Sequence, residues 1–210
     1  MKHIERLIKD HPELAPCAEA IEGTVTAILE SHRNGGKLLL CGNGGSAADS
    51  SHIAGEMLKG FLLKREPKGE ELERLCSVPE LADYAKDLQQ GICAVSLPDQ
   101  GAVLSAYSND CKPEAVYAQL VYAMGRKGDV CLGMSTSGNS KNILLAIACA
   151  KANGLVTVGM TGMGGGKMAS LCDILIAVPE TETYRVQELH LPVYHAICAQ
   201  VEEDLFGENA

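Results

Sequence analysis

The chain has 210 residues, 46% of them hydrophobic and 21% charged, with a formal net charge of −9. That length suffices for one α/β domain with a full core and is short for two. The acidic balance argues against nucleic acid as the ligand, which demands a basic surface, and with no Trp and two Phe there is no platform for stacking bases. A small anion held by backbone N–H groups and hydroxyls is still allowed.

Nine cysteines are scattered, several inside apolar runs (Cys41, Cys93, Cys131, Cys149, Cys198), and none forms a CxxC pair. They read as small buried hydrophobes in a reducing compartment. The start, Met1-Lys-His-Ile-Glu-Arg6, is charged and lacks an apolar segment, so no signal peptide is expected. No apolar run approaches the roughly twenty residues that span a bilayer. The expectation is a soluble cytoplasmic protein with neither a membrane nor a nucleic-acid partner.

In chain order, Leu14, Cys17, Ala18, Ile21, Val25, Ile28 and Leu29 recur at helical spacing up to Gly35-Gly36, which makes residues 1–35 an N-terminal helical element. Continuous apolar runs follow at Lys37–Cys41, Ile92–Leu97, Val130–Met134, Leu155–Met160 and Ile174–Val178. Continuous runs, as opposed to alternating ones, belong to parallel strands covered on both faces. Helical stretches separate them at Ala47–Leu63, Pro113–Met124, Asn142–Ala152 and Lys167–Cys172, and a last one runs from about Glu182 to Leu205. This alternation predicts a doubly wound α/β sheet of five strands in a single domain over 1–210. Residues 64–90 break the rhythm, first charged and then weakly helical over Glu80–Gln89, and read as an inserted surface excursion.

Ligands of open α/β sheets sit at the carboxyl ends of the strands. After the first strand comes Gly42-Asn-Gly-Gly-Ser46, leading into a helix, and after the third comes Ser135-Thr-Ser-Gly-Asn-Ser140, leading into another. Glycines let the backbone approach an anion, and hydroxyls with free helix N–H groups make a neutral phosphate cradle. A third glycine-rich loop, Thr161–Lys167, follows the fourth strand. Each loop alone reads equally as a packing turn or a helix cap. GxxxxGK[ST] and GxGxxG spacings are both missing, so no nucleotide cofactor is expected. His52 and Glu56, at i and i+4, share a helix face, a spacing that also serves plain surface contacts. In the last helix Gln187, Glu188, His190 and His195 interrupt an apolar pattern, and His190 reads as a satisfied core group.

Together, Cys41–Ser46, His52-x-x-x-Glu56, Gly133–Ser140 and Gln187-Glu-x-His-x-x-x-x-His195 resemble the SIS-domain phosphoheptose isomerases, which interconvert sedoheptulose 7-phosphate and D-glycero-D-manno-heptose 7-phosphate in heptose synthesis. The resemblance spans nearly the whole chain except the 64–90 insertion. It implies a flavodoxin-like parallel sheet with helices on both faces and a homotetramer with active sites where subunits meet. It also implies Ser135, Thr136, Ser137 and Ser140 on the phosphate, and Asn43, Gly44 and Ser46 along the sugar. Asn109 and Asp110 would contact sugar hydroxyls, with Gln187 also at the substrate. Glu56 would be the general base and His195 the general acid. A divalent metal, zinc, is implied on His52, Glu56, Gln187 and His195, one per site. The residue types suit enediol chemistry, in which one carboxylate moves a proton between adjacent carbons and a histidine serves the oxygens. Gln187 and His195 are eight residues apart, about 12 Å of helix rise, so sharing one ion requires converging side chains or a neighbouring subunit.

Two departures bear on the substrate: the insertion, and Tyr184 where the resembled enzymes carry Asp. The competing reading is a non-catalytic SIS protein, either a partner of the replication initiator or a phosphosugar sensor. Such initiator partners lose the catalytic Glu and the final His, both of which this chain keeps as Glu56 and His195.

Overall fold

The computed structural model describes residues 1–207; the last three positions of the expected 1–210 domain lie outside them. Five strands, β1 (Leu38–Cys41), β2 (Ala94–Ser96), β3 (Val130–Met134), β4 (Val156–Thr161) and β5 (Ile174–Ala177), pair in parallel in the order β2-β1-β3-β4-β5. Each lies within an apolar run, because helices cover both faces and leave no wet face to demand polar alternation. β1 shows this directly. Leu38 and Leu40 point into a core with Val130, Leu132, Val158 and Ile176, while Leu39 and Cys41 point into a second core with Ile143 and Ile147. Each fully buried Leu contributes about 1.5–3 kcal/mol.

The helices are α1 (Lys2–Asp10), α2 (Ala18–Arg33), α3 (Gly45–Leu58), α4 (Gly69–Cys76), α5 (Gly101–Asp110), α6 (Val116–Met124), α7 (Lys141–Ala152) and α8 (Thr183–Phe206). α1, α2, α3 and α8 pack on one face of the sheet, and α6 and α7 on the other. No described helix is long and apolar enough to cross a membrane. From β1 the chain moves to β2 on one side and later to β3 on the other. The crevice outside the carboxyl ends of β1 and β3 is therefore the switch point at which such sheets take ligands.

Four local expectations need correction. The helix expected over Ala47–Leu63 begins at Gly45 and stops at Leu58, and the stretch expected as helix over Lys167–Cys172 is a 3₁₀ turn at Gly166–Ser170. In the excursion the helix occupies the charged half, Gly69–Cys76, and the stretch expected as helix over Glu80–Gln89 forms turns through Asp87. Glu70 and Glu71 in the first turn and Arg74 in the last suit the helix dipole, and Pro79, which lacks an N–H, keeps α4 from continuing through it. Finally, α5 fills the stretch after β2 that the apolar pattern leaves unassigned; it has no fully buried residue, so its periodicity is faint.

Candidate active site

The loop after β1 is shaped by Gly44, whose φ of 57° and ψ of −121° form a turn that side chains disfavour. It delivers the chain into α3 with Ser46 buried. Asn43 and Asn142, the latter in the first turn of α7, exchange amide hydrogen bonds of 2.9 and 2.8 Å. From α6 the Tyr117 hydroxyl donates to the Gly42 carbonyl at 3.1 Å. The β1 loop is thereby tied to the helix that follows β3.

The loop after β3 folds on itself. The Ser135 hydroxyl donates to Ser140 Oγ at 3.0 Å, Gly138 N–H donates to the Ser135 carbonyl at 2.8 Å, and Asn139 N–H donates to Ser137 Oγ at 3.2 Å. Gly138 has φ of +64°, and a Cβ there would overlap the Gly165 carbonyl. The third glycine-rich loop is the reason: Gly162 N–H donates to the Thr136 carbonyl (2.9 Å) and Met168 N–H to the Gly138 carbonyl (3.2 Å). Thr161–Lys167 thus braces the hydroxyl loop from outside. Ser140 makes no side-chain cap on α7. Ile143 N–H donates to the Asn142 amide oxygen at 3.0 Å and Leu144 N–H to the Ser140 carbonyl at 3.0 Å, which leaves the Lys141 and Asn142 N–H groups and the positive end of the helix dipole to an anion.

Further along α3, His52 Nε2 lies 3.2 Å from Glu56 Oε1, and His195 Nε2, from α8, lies 3.4 Å from His52 Nε2. The Glu56 side chain is 16% exposed. Its Oε2 is buried without a hydrogen bond, the Lys59 ammonium standing 3.5 Å away. Tyr194 O–H lies 3.3 Å from Asp49 Oδ1 and 3.0 Å from His52 Nδ1. The Tyr194 hydroxyl has one proton to give, to Asp49 Oδ1 or to His52 Nδ1, and an N–H at His52 Nε2 is what would make its contact with the Glu56 carboxylate a hydrogen bond. Burial, and then the neighbouring His52, pull the His195 imidazole below its ordinary value, with Glu56 pulling the other way.

His52, Glu56 and His195 thus come together within one chain, and Asn43, Gly44 and Ser46 lie beside Ser135–Ser140. Gln187 does not join the histidines: it reaches over the start of α3, where a Cβ on Gly45 would fall 2.7 Å from its Nε2. Asn109 and Asp110 are exposed at the end of α5 and hydrogen-bond each other at 2.8 Å. Tyr184 is 57% exposed and stacks on Arg185. Among the described residues no set of three or more His, Cys, Asp and Glu side chains is arranged to hold a metal ion. His190 is core, as expected, but only half satisfied: Nε2 lies 3.2 Å from the Thr161 carbonyl and Nδ1 has no partner. Sequence reasoning passed over Asn142, Tyr194 and Asp49. Asp49 was findable, since it shares the helix face of His52 and Glu56 at spacings of three and seven; the other two carry no local signal.

Residues 4–73 and 102–202 match the SIS domain family. The chain is 39% identical over 205 residues to phosphoheptose isomerase 2 of Campylobacter jejuni, covering 98% of this chain and 88% of the relative. It is 41% identical to the phosphoheptose isomerase of Aneurinibacillus thermoaerophilus, covering 89% and 82%. The solved phosphoheptose isomerase of Neisseria gonorrhoeae superimposes with a TM-score of 0.74 at 32% identity, over 96% of each chain. The β1 and β3 loops, the histidine–glutamate cluster and these likenesses lead to one conclusion: the chain belongs to the phosphoheptose isomerase family of SIS-domain proteins.

Proposed function

We propose that this protein interconverts sedoheptulose 7-phosphate and D-glycero-D-manno-heptose 7-phosphate through an enediol. The observation that carries the reading is the Glu56–His52–His195 cluster, a mostly buried carboxylate, one oxygen of which accepts no hydrogen bond, beside two imidazoles. Glu56 removes a proton from C1 of the ketose as His195 protonates the C2 carbonyl oxygen, giving the enediol. Glu56 then returns its proton to C2 and His195 takes back the proton of the C1 hydroxyl, leaving the C1 aldehyde. The lowered pKa of His195 favours its neutral form, whose ring carries one donor and one acceptor nitrogen. Ser135, Thr136, Ser137, Ser140 and the start of α7 hold the phosphate; Asn43, Gly44 and Ser46 line the sugar, with Asn109, Asp110 and Gln187 as further contacts. A partner of the replication initiator or a phosphosugar sensor has no need of this acid–base set.

Subunit contacts are part of the proposal. Glu56 stands eleven residues beyond Gly45 on α3, about 16 Å of rise. Six zigzagged C–C bonds of about 1.5 Å and a phosphate ester reach only about 10 Å. The cradle of one chain and the acid–base cluster of another therefore serve one substrate more readily than both from the same chain, in a homotetramer. A divalent metal, zinc, belongs to the same proposal. His52, Glu56 and His195 are donor types that zinc takes, and His52 Nε2 lies 3.2 Å from Glu56 Oε1 and 3.4 Å from His195 Nε2; these side chains would hold the ion after local rearrangement, since they form no ready metal cluster as they stand. Gln187 would complete the set from a neighbouring subunit. When bound, the ion would act as a Lewis acid toward the substrate oxygens. Free cysteines throughout suit a cytoplasmic enzyme.

Proton NMR of the purified protein with a panel of ketose phosphates tests the reading. The wild type should convert the seven-carbon substrate, and Glu56→Gln should bind it with affinity nearly unchanged and turn over none of it. Turnover of Glu56→Gln at the wild-type rate would refute the mechanism.

A further inference from the structure

α3 ends at Leu58, and one arginine takes two of its last carbonyls. Arg65 is 2% exposed; it donates from Nη1 to the Met57 carbonyl at 2.7 Å and from Nη2 to the Glu56 carbonyl at 3.0 Å. Its Nε donates to Glu202 Oε1 at 2.7 Å, and Glu202, on α8, is 1% exposed. The same carboxylate organises the turn that follows α3: Phe61 N–H donates to Oε1 at 2.8 Å, and Leu62 and Leu63 N–H donate to Oε2 at 2.6 and 3.0 Å. The Phe61 ring that this turn carries lies 5.6 Å, centre to centre, from the His195 imidazole. Where the excursion returns, Gln90 N–H donates to the Arg65 carbonyl at 2.7 Å.

A buried ion pair is a weak device for stability alone, since desolvating both charges offsets their attraction and apolar replacements are often neutral. What sets this pair apart is what it holds. The peptide of Glu56 and the turn bearing Phe61 flank the acid–base cluster from two sides, and a single guanidinium–carboxylate unit fixes both. Positive charge at the carboxyl end of α3 also matches the helix dipole.

We propose that Arg65 and Glu202 are positioning residues of the isomerase site. They set the Glu56 main chain and the Phe61 ring relative to His195, and they anchor the 66–89 excursion at the same point. The proposal rests on the reading of Glu56 and His195 as base and acid. A misplacement of about 1 Å in such a pair can cost on the order of a hundredfold in rate, so the orientation of the fork matters more than its charge, and lysine cannot reproduce it.

The test is Arg65→Lys, which keeps the charge without the three-way fork. Beside it stands the paired variant Arg65→Met with Glu202→Gln, which leaves no unpaired buried charge and carries the same readouts if the lysine variant does not fold. Each is measured for thermal midpoint, for kcat and KM with the ketose phosphate, and for the NMR shifts of the His52 and His195 ring protons. The expected result is a fall in kcat per folded molecule of at least about 10-fold with KM within about 2-fold, since the Ser135–Ser140 cradle is untouched, together with displaced histidine signals. A merely structural pair would lower the midpoint and leave kcat per folded molecule and both ring signals in place, and that result overturns the proposal. A wild type inactive on every ketose phosphate would sink the functional reading instead. The ring signals, which need no turnover, would still decide on the pair: moved signals uphold it and unmoved signals overturn it.

Discussion

His190 docks α8 against the end of β4, and lowering the pH should loosen that docking by a predictable amount. The Thr161 carbonyl can only accept, so Nε2 carries the hydrogen at 3.2 Å while Nδ1 is buried without a partner. Burial pulls the imidazole from 6.5 down to about 4, with the Thr161 bond pulling back. Between those values the unfolded chain binds a proton that the folded chain refuses. The contribution of neutral His190 is therefore complete above about pH 6.5 and is lost as the pH falls through about 4. At about 1.4 kcal/mol per unit, the whole loss is about 3 kcal/mol, of which about 2 kcal/mol falls between pH 7 and pH 5. Urea unfolding at those two pH values, on the wild type and on His190→Gln, isolates it. Glutamine can keep the bond to Thr161 and cannot titrate, and every other titrating group is common to both chains. The wild type should lose about 2 kcal/mol more than the variant. Parallel losses in the two proteins would refute this reasoning.

Other predictions concern the crevice. Ser137→Ala should weaken phosphosugar binding by about tenfold, the worth of one hydrogen bond to a charged group; calorimetry showing unchanged affinity would put the phosphate elsewhere. Gly138→Ala should cost about 1–2 kcal/mol for the left-handed backbone alone, and more for the overlap with Gly165. It should also weaken phosphosugar binding more than Ser137→Ala does, and a wild-type thermal midpoint would contradict the bracing by the 161–167 loop. Chelation should strip about one zinc per chain and lower turnover, and added zinc should restore it; full activity in metal-free protein would reject the ion.

The strands were legible because burial on both faces leaves long apolar runs, and β1, β3 and β4 fall where those runs predict. The exposed α5 shows the limit, since a helix without a fully buried residue leaves a weak hydrophobic period. In the excursion the faint apolar signal of Glu80–Gln89 pointed the wrong way, and charge placement along Gly69–Cys76 decided the helix. At the site, local spacing sufficed to pair His52 with Glu56. His195 and Gln187 were legible as residue types, but their separation on α8 was a matter of three dimensions. The Tyr194, Asn142 and Arg65 contacts join segments distant in sequence and leave no local trace.

The exchanged amides of Asn43 and Asn142 act as a latch between the two walls of the crevice. Each amide gives one bond to the other and receives one from it, so neither loop can slide without breaking both. A bulkier ligand cannot be admitted by loosening one wall alone: it must open the latch completely or be refused. Tolerance toward larger sugars should therefore come as an abrupt gain when the latch is removed, in place of a graded response to trimming the hydroxyls.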